Sequence, residues 1–161
     1  MGLFNKKPKQ VDRYLLGENL SKMGYHFDAF NLEELNEAEI SIDDEVAGVI
    51  KTVGGIYKDN NGFFDYVFIS DYKDGTKAIN LNKSGIGERD LKNVVDYLFR
   101  HLEKDEIFRR EFNALDLQNI REDYRELPLR SWEADDFSIK FHHLIKQEFM
   151  LLSIKSKKPI L

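Results

Sequence analysis

His142 and His143 form an adjacent histidine pair, with Asp136 six residues before the first and Glu148 five after the second. Imidazole and carboxylate together are a ligand set for Zn²⁺ or Mn²⁺, and such a metal would activate water for hydrolysis. On a helix, neighbouring residues diverge by about 100°, so the pair cannot chelate one ion. Asp136 and His143 would share a helical face two turns apart, with Lys140 intruding between them. The set is thin. One histidine packing at a core edge while the other meets solvent is the plainer account.

Asp59, Asn61 and Gly62 suggest a calcium loop. In EF-hand register, however, Tyr57 takes the first ligand position and Phe68 the twelfth, where a bidentate Glu is needed. A hairpin turn explains the same residues. Gly85-Ile86-Gly87 ahead of a helical pattern invites a phosphate-binding reading. It lacks a third glycine and a following Lys-Ser or Lys-Thr, and Glu88 and Asp90 in the first turn would repel a phosphate. No serine lies in a Gly-x-Ser-x-Gly elbow, and the chain has no cysteine. Thiolate catalysis, disulfides and cysteine metal clusters are thereby excluded.

The strongest signal is charge. Between Asn31 and Ala47 stand Glu33, Glu34, Glu37, Glu39, Asp43, Asp44 and Glu45, seven carboxylates with no Lys or Arg among them. The net charge of the 161-residue chain is -5, so this run sets its sign. Asp43-Asp44-Glu45 could hold magnesium, but a solvated face or a helix N-terminal cluster is the commoner use of such a run. The ends are basic: Lys6, Lys7, Lys9 and Arg13 against Asp12 at one, Lys155, Lys157 and Lys158 at the other. The interior repels phosphate backbones and attracts basic surfaces. Arg109, Arg110, Arg121 and Arg125 are offset by Glu106, Glu111, Asp116, Glu122, Asp123 and Glu126, which predicts a salt-bridged, exposed helix face rather than a basic stripe.

Elements must hold these groups in place. Val11, Leu15, Leu16, Leu20 and Met23 recur at helical spacing, with Gly24 as the stop. Tyr25, Phe27 and Ala29 alternate like a short strand, as do Ile40 and Ile42, with a helical turn or two around Leu32 and Leu35. Val46–Tyr57, Phe63–Ile69 and Thr76–Asn82, separated by Asp59-Asn60-Asn61-Gly62 and Asp74-Gly75, predict an antiparallel meander. Leu91, Val94, Val95, Leu98 and Leu102 form one helical stripe. A second helix is expected from Asp105 through Phe108, Phe112 and Leu115 to Tyr124, closed by Leu127-Pro128. Phe137, Phe141, Leu144, Ile145, Phe149 and Leu152 predict a last helix capped by Asp135 or Asp136.

The expected fold is α+β: a small antiparallel β-meander packed against three to four helices. A flexible basic tail over residues 1–10, a single domain over 11–154 and a basic C-terminal tail over 155–161 are expected. The first residues lack the apolar stretch of a signal peptide, and Lys6 stands where a myristoylation pattern needs Ser or Thr. No apolar run approaches membrane-spanning length, so a cytoplasmic protein without a membrane partner is expected. In function, the chain reads as a non-enzymatic protein-interaction module of adaptor, inhibitor or immunity type. It needs no metal or cofactor, and the seven carboxylates meet a basic protein surface. Tyr25, Phe27, Phe30 or Trp132 would supply apolar anchors. The rivals are a metal-assisted hydrolase or nuclease-like enzyme using His143, Asp136 and Glu148 or Asp43–Glu45, and a nucleic-acid accessory protein using the basic ends. The overall charge disfavours the last.

Overall fold

The computed structural model describes residues 15–102, 105–107, 109–121, 128–144 and 149–160. Helix α1 (Leu15–Met23) leads through two 3-10 turns, Phe27–Ala29 and Leu32–Glu34, to the short strand β1 (Asn36–Glu37) and helix α2 (Ile42–Ala47). A meander of β2 (Val49–Ile56), β3 (Tyr66–Tyr72) and β4 (Lys77–Ser84) follows. Helices α3 (Glu88–Leu102) and α4 (Ala114–Arg121) connect it to a second meander, β5 (Arg130–Glu133), β6 (Phe137–Leu144) and β7 (Phe149–Ser156). The strands form one antiparallel sheet in the order β1-β2-β3-β4-β7-β6-β5. The protein is α+β, but its sheet has seven strands rather than one small meander. Pairing of β4 with β7, Ala78 against Lys155 through Ser84 against Phe149, welds the two halves together.

The first meander follows its turn chemistry. Gly62 and Gly75 take φ of +72° and +85°, which a side chain resists. Asp74 holds the second turn by accepting from the N–H and hydroxyl of Thr76 at 2.9 and 2.6 Å.

The expected last helix is instead the hairpin β6–β7. Residues four apart share a face on a strand as well as on a helix, so Phe137 and Phe141 fit both periods. Burial decides between them: Ile139 and Phe141 are 0% exposed while Lys140 between them is exposed. Along β7, Met150, Leu152 and Ile154 are buried and Lys155 is not. A strand flanked on both sides draws its ladder from distant residues, and that pairing overrides local periodicity. The expected C-terminal tail begins inside this strand, since β7 runs to Ser156. Beyond it the backbone stays tied down, with Lys157 N donating to Asp136 O at 2.8 Å and Ile160 N to Gly75 O at 3.1 Å.

Three smaller expectations also change. Tyr25–Ala29 is not a strand: His26 caps a 3-10 turn, and Phe27 stacks on Phe137 at 6.3 Å. Ile40 and Ile42 do not alternate in a strand, because Ser41 between them caps α2 in a capping box with Asp44. The second helix starts at Ala114, not Asp105. The Asp105 carboxylate accepts from the N–H groups of Ile107 (3.0 Å) and Arg109 (2.9 Å), and Arg109 has φ of +55°. A side chain that captures local N–H groups competes with the helix for them. The parts of the expected helices on 9–14, Phe108, and 122–127 lie outside the described residues.

The core occupies one face of the sheet. Leu91, Val94, Val95, Leu98 and Leu102 of α3 and Leu20 and Met23 of α1 join Ile79, Leu81, Ile139, Phe141, Leu152 and Ile154 in one buried cluster. At its edge lies a charge network. Arg130 on β5, 0% exposed, forks both Nη atoms onto Asp116 of α4 at 2.9 and 3.0 Å. It also donates to Leu129 O (2.7 Å) and to Arg110 O and Glu111 O (both 3.3 Å), with Nε 3.6 Å from Asp105. Asp116, also 0% exposed, accepts in addition from Arg110 Nη1 at 2.7 Å and Asn113 N at 2.9 Å. Burial would raise the Asp116 pKa, but the two arginines outweigh it and hold the carboxyl below its usual range. Of the exposed, salt-bridged helix face expected there, Arg109 is exposed but lies ahead of the helix, while Arg110, half-buried, joins Arg130 and Asp116 in a knot tying the segment ahead of α4 to the sheet.

Candidate functional site

All seven carboxylates between Asn31 and Ala47 are exposed. Glu33 and Glu34 lie in the second 3-10 turn, where the Asn31 side chain accepts from Glu33 N at 3.1 Å. Glu37 sits on β1 and reaches Lys51 of β2 at 3.7 Å, both side chains well solvated. Glu39 follows on the link to α2. Asp43, Asp44 and Glu45 form the first turn of α2, where negative charge complements the helix dipole. Asp44 is committed there, accepting from Ser41 Oγ at 2.8 Å while Ser41 Oγ accepts from Asp44 N at 3.2 Å. These elements flank one sheet edge: β1 pairs with β2, and α2 packs beside it.

The same edge carries apolar groups that charge counting overlooked. Among the described residues the exposed large apolar side chains are Leu32, Ile42, Val46, Ile50, Ile56, Ile107 and Leu115. The first five lie between residues 32 and 56, and Ile42, Val46 and Ile56 are 79, 85 and 87% exposed. It is apolar side chains gathered into a patch, rather than scattered singly, that mark contact sites, and five of the seven fall in this one stretch. A sequence signal existed: Ile42 and Val46 are four apart on a helix whose intervening positions are all acidic. The anchors expected from sequence are elsewhere. Tyr25, Phe30 and Trp132 are core residues at 0, 9 and 3% exposure, and Phe27 is half-buried against Phe137.

The edge is also guarded against strand addition. β1 covers only Val53 and Gly54 of β2, yet a bulge between Val49 and Lys51 and the lysine itself interrupt the rest. Bulges and lysines are standard protection of a sheet edge. What this surface offers is therefore side chains, not an open backbone ladder.

The metal reading fares poorly. His142 and His143 point to opposite faces of β6, and Asp136 precedes that strand, about 23 Å from His143 at strand rise. Asp136 is salt-bridged to Lys158 at 3.0 Å. Glu148 lies outside the described residues. Among those residues, no group of three His, Asp or Glu converges as a metal site would. Burial lowers the pKa of both His142 and His143, His142 with help from the charge of Lys140.

The calcium-like loop is a turn organised from within. Asp59, 9% exposed, accepts from Tyr25 Oη (2.7 Å), Asn61 N (2.9 Å), Phe63 N and Phe64 N (both 3.1 Å). Asn61 Nδ2 donates to Met23 O at 2.9 Å and Tyr57 Oη to Gly24 O at 3.0 Å, clamping the loop to the end of α1. Burial, then the Asp59 charge, raise the pKa of Tyr25, and the same causes push Tyr57 up to about 12. A pKa raised in the fold favours folding below the unfolded value near 10 and loses that contribution as pH climbs past it. Stability should therefore decline above pH ~10, with Tyr25 contributing a slope of up to about 1.4 kcal/mol per pH unit. Urea titrations from pH 8 to 11 should show this slope reduced in Tyr25→Phe; an unchanged slope would place the alkaline sensitivity elsewhere.

Comparison with protein-family models, with curated proteins and with solved structures finds no match to this chain. Among the described residues no helix is long and apolar enough to cross a membrane. The β1–β2 edge is thus the surface on which a functional reading rests.

Proposed function

We propose that this chain is a non-enzymatic protein-interaction module, of adaptor, inhibitor or immunity type, working in the cytoplasm. It docks a basic partner protein on the β1–β2 edge through Glu33, Glu34, Glu37, Glu39, Asp43, Asp44 and Glu45. The observation that carries the reading is the coincidence of these carboxylates with Leu32, Ile42, Val46, Ile50 and Ile56, all exposed. Charge steers encounter and selects the sign of the partner, while desolvated apolar contacts hold the complex once formed. The partner surface is accordingly cationic with apolar positions set among its lysines or arginines.

The test is kinetic. The partner co-purifying from source cells is identified by mass spectrometry, and its binding to the purified chain is followed across a salt series. Converting Glu33, Glu34, Glu37 and Glu39 to Gln should slow association about ten-fold at low salt and flatten the salt dependence. Ile42→Ser with Val46→Ser should act on dissociation instead, shortening the lifetime of the complex. Association rates untouched by the glutamines would reduce the acidic edge to a solubilising surface.

A further inference from the structure

We propose that the sheet face opposite the helices binds short single-stranded nucleic acid, with bases on β3 and β4 and phosphates over β7 and β6. The site is separate from the acidic edge and stands on observations of its own.

The first is a sheet face left outside the core. Helices α1 and α3 cover the face that carries the row Ile69, Ile79, Ile154 and Ile139. Alternation along each strand turns the intervening residues to the other side. There the register aligns Tyr66, Asn82, Leu151 and His142 in one row and Phe68, Asn80, Ser153 and Lys140 in the next. All are half-buried except Lys140, which is exposed. Tyr66, Phe68 and Leu151 belong neither to the core cluster nor to the apolar residues packed against it.

The second is the chemistry of those rows. The Tyr66 and Phe68 rings sit 4.9 Å apart, and Phe68 leans over Gly54 of β2, where a Cβ would come within 2.6 Å of the ring. Aromatic rings on a sheet face are stacking platforms for unpaired bases. Beside them stand Asn82 and Asn80, the cross-strand partners of Tyr66 and Phe68. Their side-chain amides form no hydrogen bond with the described residues. Each amide therefore keeps two donors and an acceptor for the edge of a base.

The third is charge. Asp71 is the single carboxylate in β3, β4, β7 and β6, in a chain of 161 residues that carries 29. Alternation places it on the helix side, where it meets Lys77 at 3.3 Å. The opposite face holds Lys140 and, one row further, Lys155. Glu133 on the neighbouring β5 is already bound by Ser138 Oγ at 2.9 Å and Lys157 at 2.6 Å. Lys140 lies five strand spacings from β1, about 24 Å, beyond two Debye lengths at 0.1 M salt. The acidity that repels phosphate from the chain as a whole is thus screened from this end of the face. Uncharged bases occupy the nearer end. From β3 to β6 the face spans about 14 Å, room for a short stretch of single strand.

The test uses the full chain and a short fluorescein-labelled oligoadenylate, as single-stranded RNA, as single-stranded DNA and within a DNA hairpin duplex. Anisotropy at low salt should give dissociation constants of about 10 µM for the single strands, and weaker binding of the duplex, whose bases are already stacked. The logarithm of the affinity should fall with that of salt at a slope of about −1.4 to −2.1, the value for two to three phosphates on a single strand. Phe68→Ala should weaken binding by about five-fold or more. Lys140→Gln should weaken it and flatten the slope by about 0.7. Lys92→Gln, the same charge change on α3, should leave affinity and slope as they were. Circular dichroism checks the fold of each variant, and the exposed Lys140 keeps the test decisive if Phe68→Ala does not fold. Single strands that fail to bind, a duplex bound as tightly, or affinity indifferent to both Phe68→Ala and Lys140→Gln overturns the proposal. So do single strands that leave the amides of residues 66–68 and 80–82 unshifted in isotope-labelled protein. A protein partner that shifts those amides when the oligonucleotides do not would make the face a protein contact instead.

Discussion

Replacing Arg130 with Met should destabilise the fold by about 4 kcal/mol, a large part of the 5–15 kcal/mol typical of a domain. The side chain volume is nearly kept, so the loss is electrostatic. Asp116, 0% exposed, would lose its forked partner and, among the described residues, keep Arg110 beside it, and Asp105, 1% exposed, would lose the guanidinium next to it. An uncompensated buried charge costs far more than an intact pair contributes. Arg130→Lys should fall between, because an ammonium restores the charge but cannot fork onto both Asp116 oxygens. The double variant Arg130→Met, Asp116→Leu should recover much of the loss by removing both members of the pair. Urea denaturation measures all three; a loss under ~1 kcal/mol in Arg130→Met would mean that water reaches the site and screens it. Acid supplies a second readout. The Asp116 pKa is depressed in the fold, so its contribution is present above the unfolded value near 4 and lost as pH falls below it. Arg130→Met should lack that acid-sensitive component.

The same network shows why only part of the molecule was legible in the sequence. Arg130, Asp116 and Asp105 are 14 and 25 positions apart, and nothing in their spacing says that they meet. An arginine between Leu129 and Ser131 reads as a solvated residue until β5 is placed against the segment ahead of α4. Where apolar periodicity or a glycine turn decides, the reading succeeded, although the Ser41 cap and the Asp105 turn, equally local, escaped it. The α3 stripe and the turns at Gly62 and Gly75 need only neighbours within a few residues, and each lies where expected. Where long-range pairing decides, it failed. β6 and β7 carry four-residue spacings compatible with a helix, and only their partners β4 and β5 make them strands. The acidic run was legible as charge because exposure is the ordinary state of Asp and Glu. Its apolar component was not, since Ile42 and Val46 would ordinarily be assigned to a core, and only the placement of α2 leaves them in solvent.

The loop that imitates a calcium site gives the second large effect. Asp59→Ala should cost about 3 kcal/mol, because it leaves the N–H groups of Asn61, Phe63 and Phe64 and the Tyr25 hydroxyl without their acceptor. Phe64 is buried at 3% exposure, so water cannot readily replace the carboxylate there. Asp59→Asn separates charge from geometry: its side-chain oxygen can still accept from part of the set, and the loss should be smaller. Tyr25→Phe removes a single donor and should cost about 1 kcal/mol. If Asp59 served a cation instead, the ordering would invert under metal. Calcium would then stabilise the parent protein and EDTA would remove that gain, whereas a turn held by its own N–H groups gives the same denaturation midpoint with Ca²⁺ or with EDTA. The present geometry predicts no shift, since both Asp59 oxygens already accept hydrogen bonds from the chain that surrounds them.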